Sequence, residues 1–183
     1  MGQYYMAVLK SGNGRLKGYE SLGSLKLMEH SYFNNYLVNA ICNKLLEKPY
    51  KVGWVGDYAD ETDFNYDKKM VDFMKADINI LNVNGKPYKF DHTNKVLLNH
   101  TKHQKIHLGK YYEENKELWW EDYWCIHPLP LLTAMGNGKG GGDYFGENKD
   151  AVGTWANDLL EIVSEQEDKF DYQELNINFK ETR

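Results

Sequence analysis

Residues 32–55 read YFNNYLVNAICNKLLEKPYKVGWV, and they combine a helical pattern with a strand-like run. Ser31 precedes it as a candidate N-cap, and Pro49 stands where a helix would have ended. Residues 51–55 then form a short β-branched and aromatic run that is typical of a strand. Apolar side chains before Pro49 recur at helical spacing: Phe33, Tyr36, Leu37, Ala40, Ile41 and Leu45. The sequence therefore predicts one principal helix over about residues 32–47, packed on a sheet.

Two hairpins are predicted on either side of this stretch. Residues 4–9 (YYMAVL) are rich in strand-forming types, SGNG at 11–14 is a turn signal, and residues 15–20 form the returning arm. Residues 94–108 (NKVLLNHTKHQKIHL) show two arms about a polar centre, which indicates a second hairpin. Between them, residues 66–75 predict a short helix.

The later segments are less regular. Residues 111–124 (YYEENKELWWEDYW) have no clean period and are predicted to be a surface excursion. Residues 126–134 (IHPLPLLTA) are predicted to be extended, because a residue before a proline is disfavoured in the helical region. Residues 154–163 fit a strand or a helix, and residues 175–180 alternate like an edge strand. This order favours an α+β fold with a mixed or mainly antiparallel sheet, in a single domain over residues 1–183.

Composition and charge argue against several classes of function. With 22 basic and 27 acidic residues the net charge is −5, so no overall basic field attracts nucleic acid. An aromatic fraction of 14% argues against disorder. No apolar stretch approaches the about 18 residues that span a bilayer, and the N-terminus lacks the apolar run of a signal peptide. We therefore predict a cytoplasmic protein with reduced Cys42 and Cys125, no membrane association and no general nucleic-acid binding.

A glycine-rich run, GNGKGGGDYFG at residues 136–146, holds six of the 16 glycines. Glycine amides can approach an anion closely, and Lys139 would add a positive charge. The run is not a Walker A loop, because Lys139 is followed by glycine, and no helix signal follows to complete a dinucleotide fingerprint. A phosphate-binding loop and a tight structural turn both stay open. The candidate ligand-binding residues here are Asn137, Gly138, Lys139, Gly140, Gly141, Gly142 and Tyr144.

The triplet Gly-Asp-Tyr occurs twice, at 56–58 and 142–144, each time after a strand-like segment. Two carboxylates at strand ends would serve as acid and base, or would bind a metal or a ribose. For either aspartate alone, the favoured interpretation is a turn whose carboxylate accepts from a local amide. The candidate catalytic residues are Asp57, Asp143 and His127, and further candidate ligand contacts are Trp54, Tyr58 and Trp155.

The histidines give a weaker signal. A cluster of His30, His100 and His127 with one of these aspartates would make a metal or acid–base site. No HExxH or HxH spacing supports such a cluster, so solvated or helix-capping histidines are the favoured interpretation. We assign no metal ligand and no cofactor from the sequence.

Several motifs together resemble a family of small bacterial and bacteriophage proteins. The segments that carry the resemblance are MGQYY, LKLMEHS, WVGDYAD, LLNHTK, IHPLPLLTAMGNGKGGGDY and VGTWANDLLEI, spread from Met1 to about Ile162. The resemblance implies an accessory protein of the bacterial or host cytoplasm, and it brings no activity, cofactor or catalytic residue with it. If the chain is phage-encoded, ligand binding would serve to blunt a nucleotide-signalling defence.

Three functions are compatible with these observations. The first is binding of a small anionic or nucleotide-like ligand in a cleft lined by the glycine-rich run. The second is a hydrolase or transferase that uses Asp and His for acid–base chemistry. The third is inhibition of a host protein through the acidic aromatic segment around Trp119, Trp120 and Trp124, since aromatic side chains are enriched at protein interfaces.

Overall fold

A computed structural model describes residues 1–76 and 80–181, and one large β-sheet organises them. Within these ranges the sheet order is β11-β6-β5-β10-β3-β1-β2-β4, with β9 beside β3, while β7 and β8 form a separate two-stranded hairpin. The strands are β1 Tyr5–Lys10, β2 Leu16–Glu20, β3 Tyr50–Gly56, β4 Ile80–Asn82, β5 Lys95–Asn99, β6 Gln104–His107, β7 Glu117–Trp119, β8 Asp122–Trp124, β9 Ala134–Met135, β10 Asp158–Ser164 and β11 Gln173–Glu174.

The α+β prediction is confirmed. The pairs β1–β2, β1–β3, β3–β10, β5–β10 and β5–β6 are antiparallel, and the pairs β2–β4, β3–β9 and β6–β11 are parallel. The helices are α1 Leu27–His30, α2 Tyr36–Glu47, α3 Lys68–Lys75, α4 Leu108–Asn115 and α5 Pro128–Leu132, with 3₁₀ turns at Lys149–Ala151 and Glu165–Glu167.

Strand β1 shows how the sheet is buried on both faces. Its alternate side chains point to opposite sides, as the strand geometry requires. Tyr5, Ala7 and Leu9 lie in the core cluster that contains the apolar face of α2, whereas Met6 and Val8 lie in the cluster that contains α3. The sheet is therefore the middle layer between helices, and the two clusters are its two apolar contacts.

The principal helix begins four residues later than predicted. Asn35 is the N-cap, and its side-chain oxygen accepts from the amides of Leu37 at 2.9 Å and Val38 at 3.3 Å. Ser31 does not cap this helix, because its hydroxyl donates to Leu27 O at 2.6 Å. Asn34 has a positive φ of 67°, which ends the preceding turn before the helix can start.

The prediction of an extended segment at 126–134 is wrong, because residues 128–132 form α5. Pro128 and Pro130 both fall in the first turn of this helix, where backbone N–H groups have no partner within the helix and the loss of one costs nothing. His127 caps the helix by accepting from Leu129 N at 3.1 Å.

The segment at 111–124 is also more regular than predicted. Its first part belongs to α4, which buries Leu108, Tyr111 and Asn115 at helical spacing, and its second part is the exposed β7–β8 hairpin.

Of the remaining predictions about the fold, most are confirmed and one is wrong. Both predicted hairpins and the short helix before residue 76 are confirmed, and residues 158–164 form a strand. The predicted edge strand at 175–180 is wrong, because β11 ends at Glu174 and residues 175–180 are not a strand, although Leu175 N still donates to Lys105 O of β6.

Candidate functional site

The glycine loop (residues 136–146) closes around a side chain of its own. One carboxylate oxygen of Asp143 accepts from the backbone amides of Gly138, Lys139 and Gly140, at 2.7, 2.9 and 3.0 Å. Asp143 is buried, with 6% of its surface exposed. The three amides that a bound phosphate would need therefore already hold an anion, and this anion belongs to the chain.

The other carboxylate oxygen of Asp143 faces the N-terminal strand. It accepts from the Tyr5 hydroxyl at 2.9 Å and more weakly from Gln3 Nε2 at 3.3 Å, and Gln3 Nε2 also donates to Gly136 O at 2.7 Å. Burial, and then the nearby charge of Asp143, raises the pKa of Tyr5, so that its hydroxyl remains a donor. The loop and the strand thus share one buried polar centre.

Close packing accounts for two of the glycines in the loop. A Cβ at Gly140 would lie 2.4 Å from Gln3 Cβ, and a Cβ at Gly142 would lie 2.3 Å from Lys26 Cδ. Gly142 also has a positive φ of 85°, which disfavours other residues. Gly141 pairs with the N-terminus, since its N–H donates to Met1 O at 3.0 Å.

Lys139 is directed away from the amides of its own loop. Its ammonium lies 2.6 Å from Asp60 Oδ1 and 2.9 Å from Asp63 Oδ2. Partial burial works to lower the pKa of Lys139, but the hydrogen bonds to these two carboxylates outweigh it and the pKa is raised. The lysine therefore ties the glycine loop to the loop after β3.

Asn137 and Tyr144 hold the two ends of the loop and the C-terminal segment. Asn137 accepts from Tyr144 N at 2.8 Å and donates to Tyr144 O at 3.0 Å. The buried Tyr144 hydroxyl donates to Glu147 O at 2.6 Å, lies 2.9 Å from Lys180 O, and accepts from Lys180 N at 3.0 Å. Its ring packs edge-on against Phe179.

The candidate aromatic contacts lie mostly inside the core. Trp54 and Trp155 are 0% and 1% exposed, which leaves no face for a ligand to stack on. The indole N–H of Trp54 donates to His30 Nε2 at 2.6 Å, and that of Trp155 donates to Gln104 Oε1 at 2.9 Å. Tyr58 is half-buried, and its neighbour Asp57 accepts from Tyr4 N at 3.1 Å.

His127 lies in a different environment from the two aspartates. Its Nδ1 caps α5, so the ring proton is on Nε2, which lies 3.7 Å from Cys42 Sγ. Burial lowers the pKa of His127 to about 3 and raises the pKa of the Cys42 thiol, so this pair holds a neutral imidazole and a thiol. Such a pair lacks the thiolate that nucleophilic catalysis requires.

The structure brings Asp143 together with the glycine loop, and its carboxylate bonds to the loop amides, Tyr5 and Gln3 rather than to the other candidate catalytic residues. In the described part of the chain no hydrogen bond joins His127 to Asp57 or Asp143. The same part contains no group of three or more His, Cys, Asp or Glu side chains arranged to hold a metal ion.

A cavity of about 280 Å³ lies at the base of the β7–β8 hairpin, and we call it the hairpin cavity. Buried Cys125, Ile126 and Phe179 line its inner part, while half-exposed Trp119 and Trp124 stand at its rim. It is completed by Tyr32, Asn115, Glu117, Lys180 and Glu181.

Contacts within the chain fix the walls of the hairpin cavity. The amide of Phe33 donates to Cys125 O at 3.0 Å, which joins the segment before α2 to the end of β8. The rings of Tyr32 and Trp124 are perpendicular, with their centroids 5.3 Å apart. On the C-terminal side, Phe179 N donates to the Tyr111 hydroxyl at 3.3 Å, and Tyr32 donates to Glu181 at 3.4 Å.

The aromatic hairpin (residues 117–124) exposes a concentration of large apolar side chains. The exposed fractions are 61% for Leu118, 47% for Trp119, 88% for Trp120, 55% for Tyr123 and 49% for Trp124. Trp120 lies at the tip with a positive φ of 59°, which is unfavourable for a bulky side chain.

The sequence pointed to the tryptophans of the hairpin but not to the cavity beside them. Tyr32, Phe179 and Glu181 were missed, because they join the cavity from segments that are far apart in the chain. The one available signal was the density of aromatic and acidic residues at 111–124.

Comparisons with known proteins give no family for the chain. No protein-family model, curated protein or solved structure matches it. The resemblance to small bacterial and bacteriophage proteins therefore stays a prediction. No helix in residues 1–76 and 80–181 has the length and apolar character needed to cross a membrane.

Proposed function

We propose that the chain is a binding module that recognises a partner protein through the aromatic hairpin. The observation that supports this is the exposure of five large apolar side chains within seven residues, 118–124, beside a cavity. Contiguous exposed apolar surface marks interaction sites, and Trp and Tyr are the residues most enriched among interface hot spots.

The charges around the hairpin suggest a basic partner surface. Glu121 and Asp122 are exposed next to Trp120, and Glu113 and Glu114 lie on the last turn of α4. The chain as a whole carries a net charge of −5. A partner segment that combines apolar and basic side chains would meet both the aromatic and the acidic parts of this surface.

The conformation of Trp120 supports the same proposal. Residues with a positive φ other than glycine are strained, and strain of this kind clusters at functional positions. The tip of a two-residue hairpin turn is usually glycine, asparagine or aspartate. A tryptophan that is 88% exposed gains little from packing within the chain, so its presence at the tip is accounted for by contact with another molecule.

The experiment is affinity isolation of a complex from the cells that express the chain, with three matched baits. The wild type and Phe64→Ala should retain the same complex, because Phe64 is 67% exposed but lies outside the hairpin. The double variant Trp119→Ala/Trp120→Ala should lose it, while its circular dichroism and unfolding midpoint stay close to those of the wild type. An equal loss with Phe64→Ala, or retention by the double variant, would contradict the proposal.

The other two functions stay predictions with less support. An anionic ligand at the glycine loop would have to displace Asp143 from three amides, and Lys139 from two carboxylates. Acid–base catalysis by Asp57, Asp143 and His127 has less support because, within the described residues, no hydrogen bond joins His127 to either aspartate. A thermal-shift screen against nucleotides and divalent cations tests both, and a ligand-dependent rise in melting temperature would restore the first.

A further inference from the structure

We infer that the hairpin cavity binds a weakly hydrated organic cation, namely the guanidinium group of an arginine or the methylated ammonium group of a lysine. This inference rests on the proposed function, since it names the chemical group by which a partner would be anchored.

The charges that line the cavity select for a cation. Glu117 and Glu181 contribute two carboxylates and Lys180 contributes one ammonium, so the lining carries a net charge of −1. A phosphate or carboxylate ligand would be repelled by this balance. The Glu181 carboxylate contacts an aromatic wall directly, because it accepts from the Tyr32 hydroxyl.

The aromatic walls have the arrangement that such a cation needs. Tyr32 and Trp124 meet at an interplanar angle of 85°, so together they form a corner rather than a flat stacking platform. Aromatic corners that enclose a cation recognise quaternary ammonium and methylated lysine through cation–π attraction. Guanidinium groups use the same attraction and add hydrogen bonds to a carboxylate.

The hairpin already holds one cation of its own in this way. Lys116 Nζ lies 4.9 Å from the ring centroid of Tyr123 and 5.6 Å from that of Tyr112, and it pairs with Glu113 at 2.5 Å. An ammonium enclosed by aromatic faces and a carboxylate is therefore a stable arrangement on the neighbouring surface. The hairpin cavity repeats these components with Tyr32, Trp124 and Glu181.

The size of the cavity favours a side-chain head group over a larger molecule. At about 280 Å³ it lies at the lower limit of ligand pockets, which range from about 300 to 1,000 Å³. The one amide side chain in the lining, Asn115, donates to Tyr111 O at 2.8 Å and so has less capacity to bind sugar hydroxyls. A nucleotide or an oligosaccharide is thus a poorer match than a single cationic group.

The test is an NMR titration of the tryptophan indole N–H signals of the full chain with small probes. Tetramethylammonium and ethylguanidinium should shift the Trp124 signal in a saturable manner, whereas the buried Trp54 and Trp155 signals should not move. Neutral tert-butanol should give no saturable shift, and sodium chloride at the same ionic strength serves as the blank. Whichever cation binds more tightly assigns the anchor to arginine or to methylated lysine.

Variants make the result specific to the cavity. Trp124→Leu should weaken cation binding at least tenfold, and Glu181→Gln should weaken it several-fold without affecting folding, because Glu181 is exposed. Glu165→Gln, an exposed carboxylate in a 3₁₀ turn that does not line the cavity, should have no effect. Equal binding of tert-butanol, tighter binding of methyl glucoside or adenosine monophosphate, or unchanged affinity in both variants would overturn the inference.

The two proposals can fail separately. Trp120 does not line the cavity, so Trp120→Ala should keep the cation titration intact while it weakens partner binding. A complex that depends on Trp120 but no saturable cation shift would remove only the inference about the cavity. A specific cation shift without any complex that depends on Trp119 and Trp120 would remove only the partner-protein proposal.

Discussion

The glycine loop and the aromatic hairpin differ in what their interacting groups contact. In the glycine loop, three amides bind Asp143, Lys139 binds two carboxylates, and Tyr144 binds the C-terminal segment. In the aromatic hairpin, five large apolar side chains remain between 47% and 88% exposed. The loop has the residue types of a binding motif but uses them within the chain, whereas the hairpin leaves apolar surface open to another molecule. For this reason we base the proposed function on the exposed surface of the hairpin rather than on the resemblance of the loop to a phosphate-binding motif.

We expect the largest loss of stability when the Asp143 carboxylate is removed from the glycine loop. Asp143→Ala leaves three amides and the Tyr5 hydroxyl without their acceptor in a buried site, and we expect a loss of about 3–5 kcal/mol in the free energy of unfolding. Urea denaturation measures this loss. Asp57→Ala is the matched control, because Asp57 is half-buried and its side chain accepts a single backbone bond, so about 1 kcal/mol is expected.

The same variant also tests whether the glycine loop binds a ligand. If Asp143→Ala remains as stable as the wild type, or if it gains stability on addition of phosphate or a nucleotide, the loop is a ligand site from which Asp143 can be displaced. A large loss that phosphate does not restore assigns the carboxylate to the structure of the loop.

An intermediate loss of stability is expected at acidic pH. It comes from two histidines that are buried in the core. Burial lowers the pKa values of His30 and His127 to about 3, from an ordinary value of 6.5. The unfolded chain therefore binds protons between pH 6.5 and 3 that the folded chain does not bind, so stability falls as the pH decreases below 6.5. Between pH 7 and pH 5 we expect each histidine to lower the free energy of unfolding by about 2 kcal/mol.

The variant His127→Asn tests this pH dependence. Asparagine is a good N-cap for α5 and does not titrate, so the loss between pH 7 and pH 5 should shrink by about 2 kcal/mol, whatever the stability at pH 7. Urea denaturation at both pH values gives the difference. An unchanged dependence on pH would show that His127 does not control the acid sensitivity of the fold.

The smallest expected effect concerns the tip of the aromatic hairpin. Glycine at position 120 adopts a positive φ without strain, and the exposed indole makes little contact, so Trp120→Gly should stabilise the hairpin by up to about 1 kcal/mol. Amide hydrogen exchange of β7 and β8 measures the change. Partner binding should fall in the same variant, and a destabilised hairpin would instead assign Trp120 a structural role.

The parts of the fold that were predicted from the sequence are those with a local cause. The apolar spacing of Leu37, Ile41 and Leu45 is visible along the chain, and so is the turn chemistry of both large-sheet hairpins. The predicted start of α2 was wrong because Ser31 and Asn35 are both favourable N-cap residues, and it is Asn35 that caps the helix. Helix α5 was missed because Pro128 and Pro130 were interpreted as breakers, although the first turn of a helix accepts them.

The site was less predictable because it depends on contacts between distant residues. Asp143 follows the glycines closely enough to be considered as their acceptor, but the roles of Tyr5 and Gln3 arise from a separation of about 140 residues along the chain. The hairpin cavity combines residues near 32, 115–126 and 179–181, and no spacing rule connects these three segments. The exposed tryptophans were identified from the sequence because composition alone indicates them.

The hydrogen bonds of the Tyr144 hydroxyl affect how a mutational scan of this protein should be interpreted. It accepts a hydrogen bond from the amide of Lys180, which attaches the glycine loop to the segment that carries Phe179 and Glu181 into the hairpin cavity. Under the proposed function, a mutational scan scored by partner binding would select Tyr144 and Asp143 beside the proposed contact residues, although neither lines the cavity. Only scores divided by the abundance of folded protein would separate the residues that support the proposed recognition surface from those that form it.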